Sequence, residues 1–130
     1  MTVVLLDTHV LLWWSSSPTR LSRAAARTIQ AAEELAVADM TWYELAWMAR
    51  SDRIAIPGSV GDWLGRLSEQ VRTVPITPEI ADSVASMPSS FPNDPADRII
   101  VATAIEHRWK LVSKDERLRE HPLTKGIVVW

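Results

Sequence analysis

The strongest constraint in this chain is an alternation kept up from one end to the other: short apolar runs separated by segments of helical length. The runs are Val3 to Leu6, Leu35 to Ala38, Thr73 to Ile76, Lys110 to Ser113 and Ile127 to Trp130. The first, closed by Asp7, has the unbroken apolar character of a strand covered on both faces. Strands separated by helices pair in parallel, because a parallel neighbour can be reached only through a long crossover. The pattern therefore predicts an α/β fold with helices layered on a mainly parallel sheet.

The helical segments carry their own start signals. Thr8 to Trp14 is a short helix broken by Ser15-Ser16-Ser17-Pro18, and Ser22 opens an alanine-rich helix running to about Leu35. Thr41-Trp42-Tyr43-Glu44 has the form of a capping box and predicts a helix to about Ser51. Trp63, Leu64, Leu67 and Val71 share one face of a helix over Val60 to Val71, and Pro78 to Met87 is a further short helix. Asp94-Pro95 sets a favoured cap before a proline at the first helical position and predicts a helix to about Arg108. Asp115 to Arg119 supplies a last turn or two, with Ser113-x-x-Glu116 as a second box. No repeat, linker or low-complexity tract interrupts the series, so residues 1–130 are expected to form a single domain.

Composition removes several classes of function. With 130 residues, 47% of them hydrophobic and 23% charged, the chain can bury a core without a disulfide or a structural metal. It has no cysteine, which excludes a disulfide scaffold, a zinc–cysteine site and thiol catalysis. Asp7 and His9 interrupt the apolar N-terminus, and no basic segment precedes it, so it is not expected to be a signal peptide. No apolar run approaches the roughly 20 residues that a spanning helix needs, so the expected location is the cytoplasm, with no membrane partner.

The acids then stand out by position. In an open parallel sheet the functional crevice lies beyond the carboxyl ends of the strands. Asp7 ends the first strand, Glu44 begins the helix after the second, Asp97 lies in the first turn of the Asp94-Pro95 helix, and Asp115 follows the Lys110 to Ser113 strand. Singly, each is well explained as a helix-terminal residue. Gathered, they are not. An acid at a helix start gains about 0.3–1 kcal/mol from the dipole, whereas two carboxylates about 4 Å apart repel by about 4 kcal/mol at an effective dielectric near 20. A divalent cation is the simplest compensation, and hard oxygen donors select Mg²⁺ or Mn²⁺ over zinc. Such an ion can orient a phosphodiester and lower the pKa of a bound water, the chemistry of a nuclease without a covalent intermediate. Neither a Gly-rich phosphate loop nor a Gly-x-Ser-x-Gly elbow is present, and His9, His107 and His121 are scattered. The net charge is −2; with Asp7, Glu44, Asp94, Asp97 and Asp115 set aside, eleven acids face fourteen Lys and Arg, a balance compatible with an RNA or DNA substrate.

Four segments carry a family resemblance: Leu5-Leu6-Asp7-Thr8-His9 with Leu11-Leu12-Trp13-Trp14, Trp42-Tyr43-Glu44-Leu45-Ala46, Asn93-Asp94-Pro95-Ala96-Asp97-Arg98 with the helix that follows, and Leu111-Val112-Ser113-Lys114-Asp115. In order and spacing they resemble the PIN-domain proteins, and more narrowly the VapC-like toxins of toxin–antitoxin pairs, over essentially the whole chain. The resemblance implies a three-layer α/β/α fold and a Mg²⁺- or Mn²⁺-dependent endoribonuclease, held in check by a small antitoxin and able to form a homodimer. It implies that Asp7, Glu44 and Asp97 are the central metal-binding acids, with Asp115 a fourth that helps hold a second ion or a water. Asp94 belongs to the same motif as a metal-proximal acid, and by its own position is a helix cap. Thr8 and Ser113 match polar positions that orient waters or carboxylates. Ala96 stands where the family often has an aromatic residue.

Other residues invite a functional and a structural reading side by side. Seven tryptophans exceed ordinary usage, and Trp47 or Trp63 is expected on an antitoxin or dimer surface, although core packing is the commoner use. Arg20, Arg23 and Arg27 recur at helical spacing as a basic edge or a solvated face; Arg98 suits a structural ion pair, and Lys114 an exposed position. Two other functions fit an acidic sheet edge: a receiver-like phosphoacceptor and a PIN-like binding module without catalysis. An Asp-x-Asp phosphatase is opposed by His9, which occupies the place of its second acid.

Overall fold

The computed structural model describes residues 1–130. Five strands, β1 (Val3–Leu6), β2 (Glu34–Ala38), β3 (Arg72–Val74), β4 (Lys110–Val112) and β5 (Val128–Val129), form one sheet in the order β3-β2-β1-β4-β5. Every pairing is parallel. Seven α-helices accompany them: α1 (Thr8–Ser16), α2 (Arg23–Ala31), α3 (Met40–Arg50), α4 (Val60–Ser68), α5 (Pro78–Ala85), α6 (Pro95–His107) and α7 (Glu116–Arg119). The chain winds outward from β1 through β2 to β3, then returns to β1's other side for β4 and β5. The switch point lies between β1 and β4, where such folds open a crevice at the strands' carboxyl ends.

The strand period of two sorts the core into layers. Val4, Leu6, Val37 and Val112 pack with Val10, Leu11, Ala25, Ile29, Leu45, Trp63 and Leu67 from the α1 to α4 side. Leu5, Ala36, Ala38, Val74 and Leu111 face the other way, against Phe91, Ile100, Val101, Ala104 and Leu118. The result is the expected three-layer α/β/α arrangement. Its strand order also departs from the 2-1-3-4-5 order of receiver-like folds.

Several expected boundaries move, each for a local reason. β3 stops at Val74 because Pro75 has no N–H for the ladder. The second helix ends at Ala31 rather than near Leu35, and Glu33 and Glu34 bond through their backbone N–H groups to the carbonyl of Thr2 as β2 begins. Val71 is buried although α4 ends at Ser68. The capping box at Thr41 does not form: α3 starts at Met40, and Thr41 is buried inside its first turn. Asp39, not Thr41, precedes the helix and spends its side chain accepting from the N–H of Ile76 at 3.1 Å. Nor does Ser113 cap α7; Asp115 does. Ser22 and Asp94 cap α2 and α6 as expected, accepting from the N–H groups of Ala25 and Asp97. α6 closes at Arg108 in the left-handed conformation (φ 58°).

Candidate functional site

β1 delivers Asp7 directly to the switch point, where its backbone N–H reaches across to the carbonyl of Val112 at 3.0 Å. One carboxylate oxygen, Oδ1, accepts from the N–H of Thr8 at 2.8 Å as the cap of α1, and Oδ2 accepts from Ser113 Oγ at 2.6 Å. Ser113 is fully buried just past β4 and accepts in turn from the N–H of Asp115 at 3.1 Å. The hydroxyl therefore ties the first acid to the backbone that carries the fourth.

Glu44 arrives from α3 and is held by a second relay. Thr8 Oγ1 donates to Glu44 Oε1 at 2.5 Å. A hydroxyl has one proton, so the 3.0 Å bond between Thr8 Oγ1 and Thr41 Oγ1 must run from Thr41 to Thr8. This is where the residue read as a cap belongs: Thr41 anchors the chain Thr41, Thr8, Glu44 inside the protein. Asp97 enters from the first turn of α6, whose start is fixed by Asp94 Oδ2 accepting from Asp97 N–H at 3.1 Å.

Asp7, Glu44, Asp94, Asp97 and Asp115 all line one cleft of about 730 Å³, together with Thr8, His9, Trp13, Lys114, Glu116 and Arg117. The four separate segments thus converge as the topology predicts. His9 is an exposed member of the wall, with its ring 5.8 Å from that of Trp13. Lys114 is exposed and its ammonium lies over Trp13 at 5.7 Å. Arg117 is a functional candidate that motif reading misses. Its guanidinium makes two bonds to Asp115, Nε to Oδ1 at 3.1 Å and an η nitrogen to Oδ2 at 2.7 Å, and that same η nitrogen reaches Asp97 Oδ2 at 3.3 Å. The available signal was its place two residues after a helix-capping acid, where an Asx-type turn brings cap and side chain together.

The electrostatics match the crowding. Burial pushes the Asp7 carboxyl above its ordinary range, against the opposing bonds from Ser113 and Thr8. Burial likewise raises Glu44, aided by the charges of Asp7 and Asp94. Asp97 is pushed up to about 7, first by burial and then by Asp7, Asp94 and Asp115. Asp115 goes the other way, because Arg117 holds it in its charged form. These are hard oxygen donors whose negative charge Arg117 offsets only at Asp97 and Asp115, the donor chemistry of a Mg²⁺ or Mn²⁺ site. No three of them are drawn together as a finished cage.

The remaining candidates are placed elsewhere. Arg98 forms no ion pair; its guanidinium donates to the carbonyls of Pro92 at 2.8 Å and Phe91 at 2.9 Å and secures the loop before α6. Arg20 lies in a 3₁₀ turn (Pro18–Arg20), not on α2, and stacks 4.7 Å over Trp13, while Arg23 and Arg27 are exposed on the helix. Trp63 is buried in the core and is unavailable to a partner; Trp47 is 53% exposed.

Comparison with known proteins agrees with this geometry. The family model described as the PIN domain matches residues 4–122. Ribonuclease VapC22 of Mycobacterium tuberculosis (strain ATCC 25618 / H37Rv) is 56% identical over 130 residues, the full length of both chains. Among solved structures, a toxin–antitoxin complex from Klebsiella pneumoniae is similar at a TM-score of 0.69 and 23% identity, covering 98% of this chain and 96% of that one. A DNA-bound VapBC from Salmonella typhimurium is similar at a TM-score of 0.71 and 15% identity, covering 93% and 92%. By sequence over its whole length and by fold, this chain belongs to the PIN-domain family, among the VapC ribonucleases.

Proposed function

We propose that residues 1–130 act as one nuclease domain, a Mg²⁺- or Mn²⁺-dependent endoribonuclease that serves in the cytoplasm as the toxin of a toxin–antitoxin pair. The observation that carries this reading is the convergence of Asp7, Glu44, Asp97 and Asp115, from four chain segments, in one cleft at the sheet's switch point. A bound divalent ion supplies phosphodiester polarisation and a more acidic water. Asp7, Glu44 and Asp97 are assigned as its principal ligands, with Asp115 assigned to a second ion or the attacking water. Ser113 and the Thr41–Thr8 relay fix the directions of Asp7 and Glu44, which lowers the cost of ordering these two ligands on binding. Asp94 is assigned to the α6 cap.

The partners follow from the same reading: an RNA substrate, a small antitoxin, and a second copy of the chain. The PIN-like binding module without catalysis is opposed by the complete acid set. The test is cleavage of a mixed structured RNA pool in Mg²⁺, Mn²⁺ or EDTA by the wild type, Asp7→Asn and Asp97→Asn. Cleavage that needs the metal and both acids is expected, with both variants folded, because each exchange removes a charge and little volume. Metal-independent cleavage, or full activity in either variant, overturns the assignment.

A further inference from the structure

Arg117 forms both of the ion pairs made by Asp97 and Asp115 in the cleft; the third pair of the wall, Glu116 with Arg119 at 3.8 Å, lies outside the proposed metal-binding acids. Lys114, the other basic chain end in the wall, is drawn toward Trp13, and its ammonium makes no ion pair. The Arg117 side chain is 65% exposed, while its partners Asp97 and Asp115 are 15% and 24% exposed. A largely exposed cation thus bridges two of the acids assigned to the metal. Its anchoring is one-sided: the short bidentate contact is to Asp115, two residues away, and the longer one to Asp97, twenty residues away. Nothing buried holds the guanidinium in place.

We infer that Arg117 is a resident counter-cation of the site, which neutralises Asp97 and Asp115 until a divalent ion displaces it and which then turns to a phosphate of the RNA. This rests on the proposed metal-binding role of those acids. The physical case is that the guanidinium and the ion compete for the same oxygens. A divalent cation bound to several carboxylates outcompetes an exposed monovalent pair, which contributes only about 0.2–1 kcal/mol. The freed guanidinium remains at the cleft's mouth, with the planar donor fork suited to a phosphate. The short helix α7 does not depend on the side chain, since Asp115 caps it through the backbone N–H of Arg117.

The test is a calorimetric titration of metal-free protein with Mn²⁺, comparing wild type, Arg117→Gln and Asp97→Asn. Arg117→Gln is expected to bind Mn²⁺ about three- to tenfold more tightly, the loss of two competing exposed pairs. Weaker or unchanged binding in Arg117→Gln overturns the inference, because a clamp that organises the acids gives the opposite sign. Asp97→Asn separates the two levels: weakened Mn²⁺ binding there keeps the metal reading whatever Arg117→Gln does. A wild type that binds no Mn²⁺ overturns both. At saturating Mn²⁺, Arg117→Gln is expected to raise KM for a single-stranded oligoribonucleotide several-fold with little change in kcat; an unchanged KM overturns the phosphate role.

Discussion

Asp97 is one of the residues that carry the cleft's unfavourable charge. Its carboxyl is raised from about 3.8 in the unfolded chain to about 7 in the folded one, so the native state holds more protons than the unfolded state between those values. Stability of the metal-free protein must therefore fall as pH rises through this window. Asp97→Asn removes the liability, and its side chain gives up only the long contact to Arg117. In EDTA at pH 7.5 the variant is expected to be more stable to urea by about 1–3 kcal/mol, with almost no gain near pH 4. A gain that is the same at both pH values contradicts the burial-and-repulsion account. On the proposed assignment of Asp97 as a ligand, a divalent ion is expected to bind more weakly below about pH 7 and to release protons on binding, because the ligand form is the carboxylate. A purely helix-capping acid has none of these signatures, since the dipole favours its charged form.

At the scale of elements, Asp94 shows how one side chain can sit in the site and yet act on the helix. Its Oδ2 satisfies the N–H of Asp97 at the start of α6, and its charge adds to the repulsion on that same residue. Asp94→Ala is expected to destabilise the protein by about 1 kcal/mol through loss of the cap. Asp94→Asn keeps a capping oxygen, lowers the repulsion, and should retain near-wild-type stability and RNA cleavage. Loss of cleavage in a stable Asp94→Asn protein reassigns Asp94 to the metal. Asp94-Pro95 was legible in the sequence because cap and proline act through local backbone geometry. Thr41 and Ser113 cap no helix although each sits in a sequence that fits a capping box; the resemblance also places Ser113 as a residue that orients a carboxylate, as its bond to Asp7 does. Their hydroxyls are drawn instead to Thr8 and Asp7, 33 and 106 residues away along the chain, a distance no local pattern encodes. The acids could be placed because strand ends deliver them to one rim; for Arg117 only the contact to Asp115 has a local signal, and its bridge to Asp97 is known only from the fold.

For the whole molecule, the unpartnered feature is an aromatic step on α3. Tyr43 and Trp47 are 63% and 53% exposed and lie four residues apart on one helical face. They border a shallow cavity with Met40, Met48, Pro95 and Ala96 that also touches Glu44 and Asp94 of the acidic cleft. Aromatic and methionine side chains grouped in this way are the composition of an interface core, whereas the other large apolar side chains are mostly engaged in the two layers of the sheet. The face suits a protein partner, either the antitoxin or a second copy of the chain, and in the proposed homodimer it would set the two acidic clefts close together. Trp47→Glu places a charge at its centre without touching the core, so stability is expected to change by no more than about 0.5 kcal/mol. Sedimentation velocity at micromolar concentration should show a wild-type dimer and a monomeric Trp47→Glu variant. A dimer that persists in the variant moves the interface elsewhere on the molecule, and a monomeric wild type removes the homodimer from the proposal.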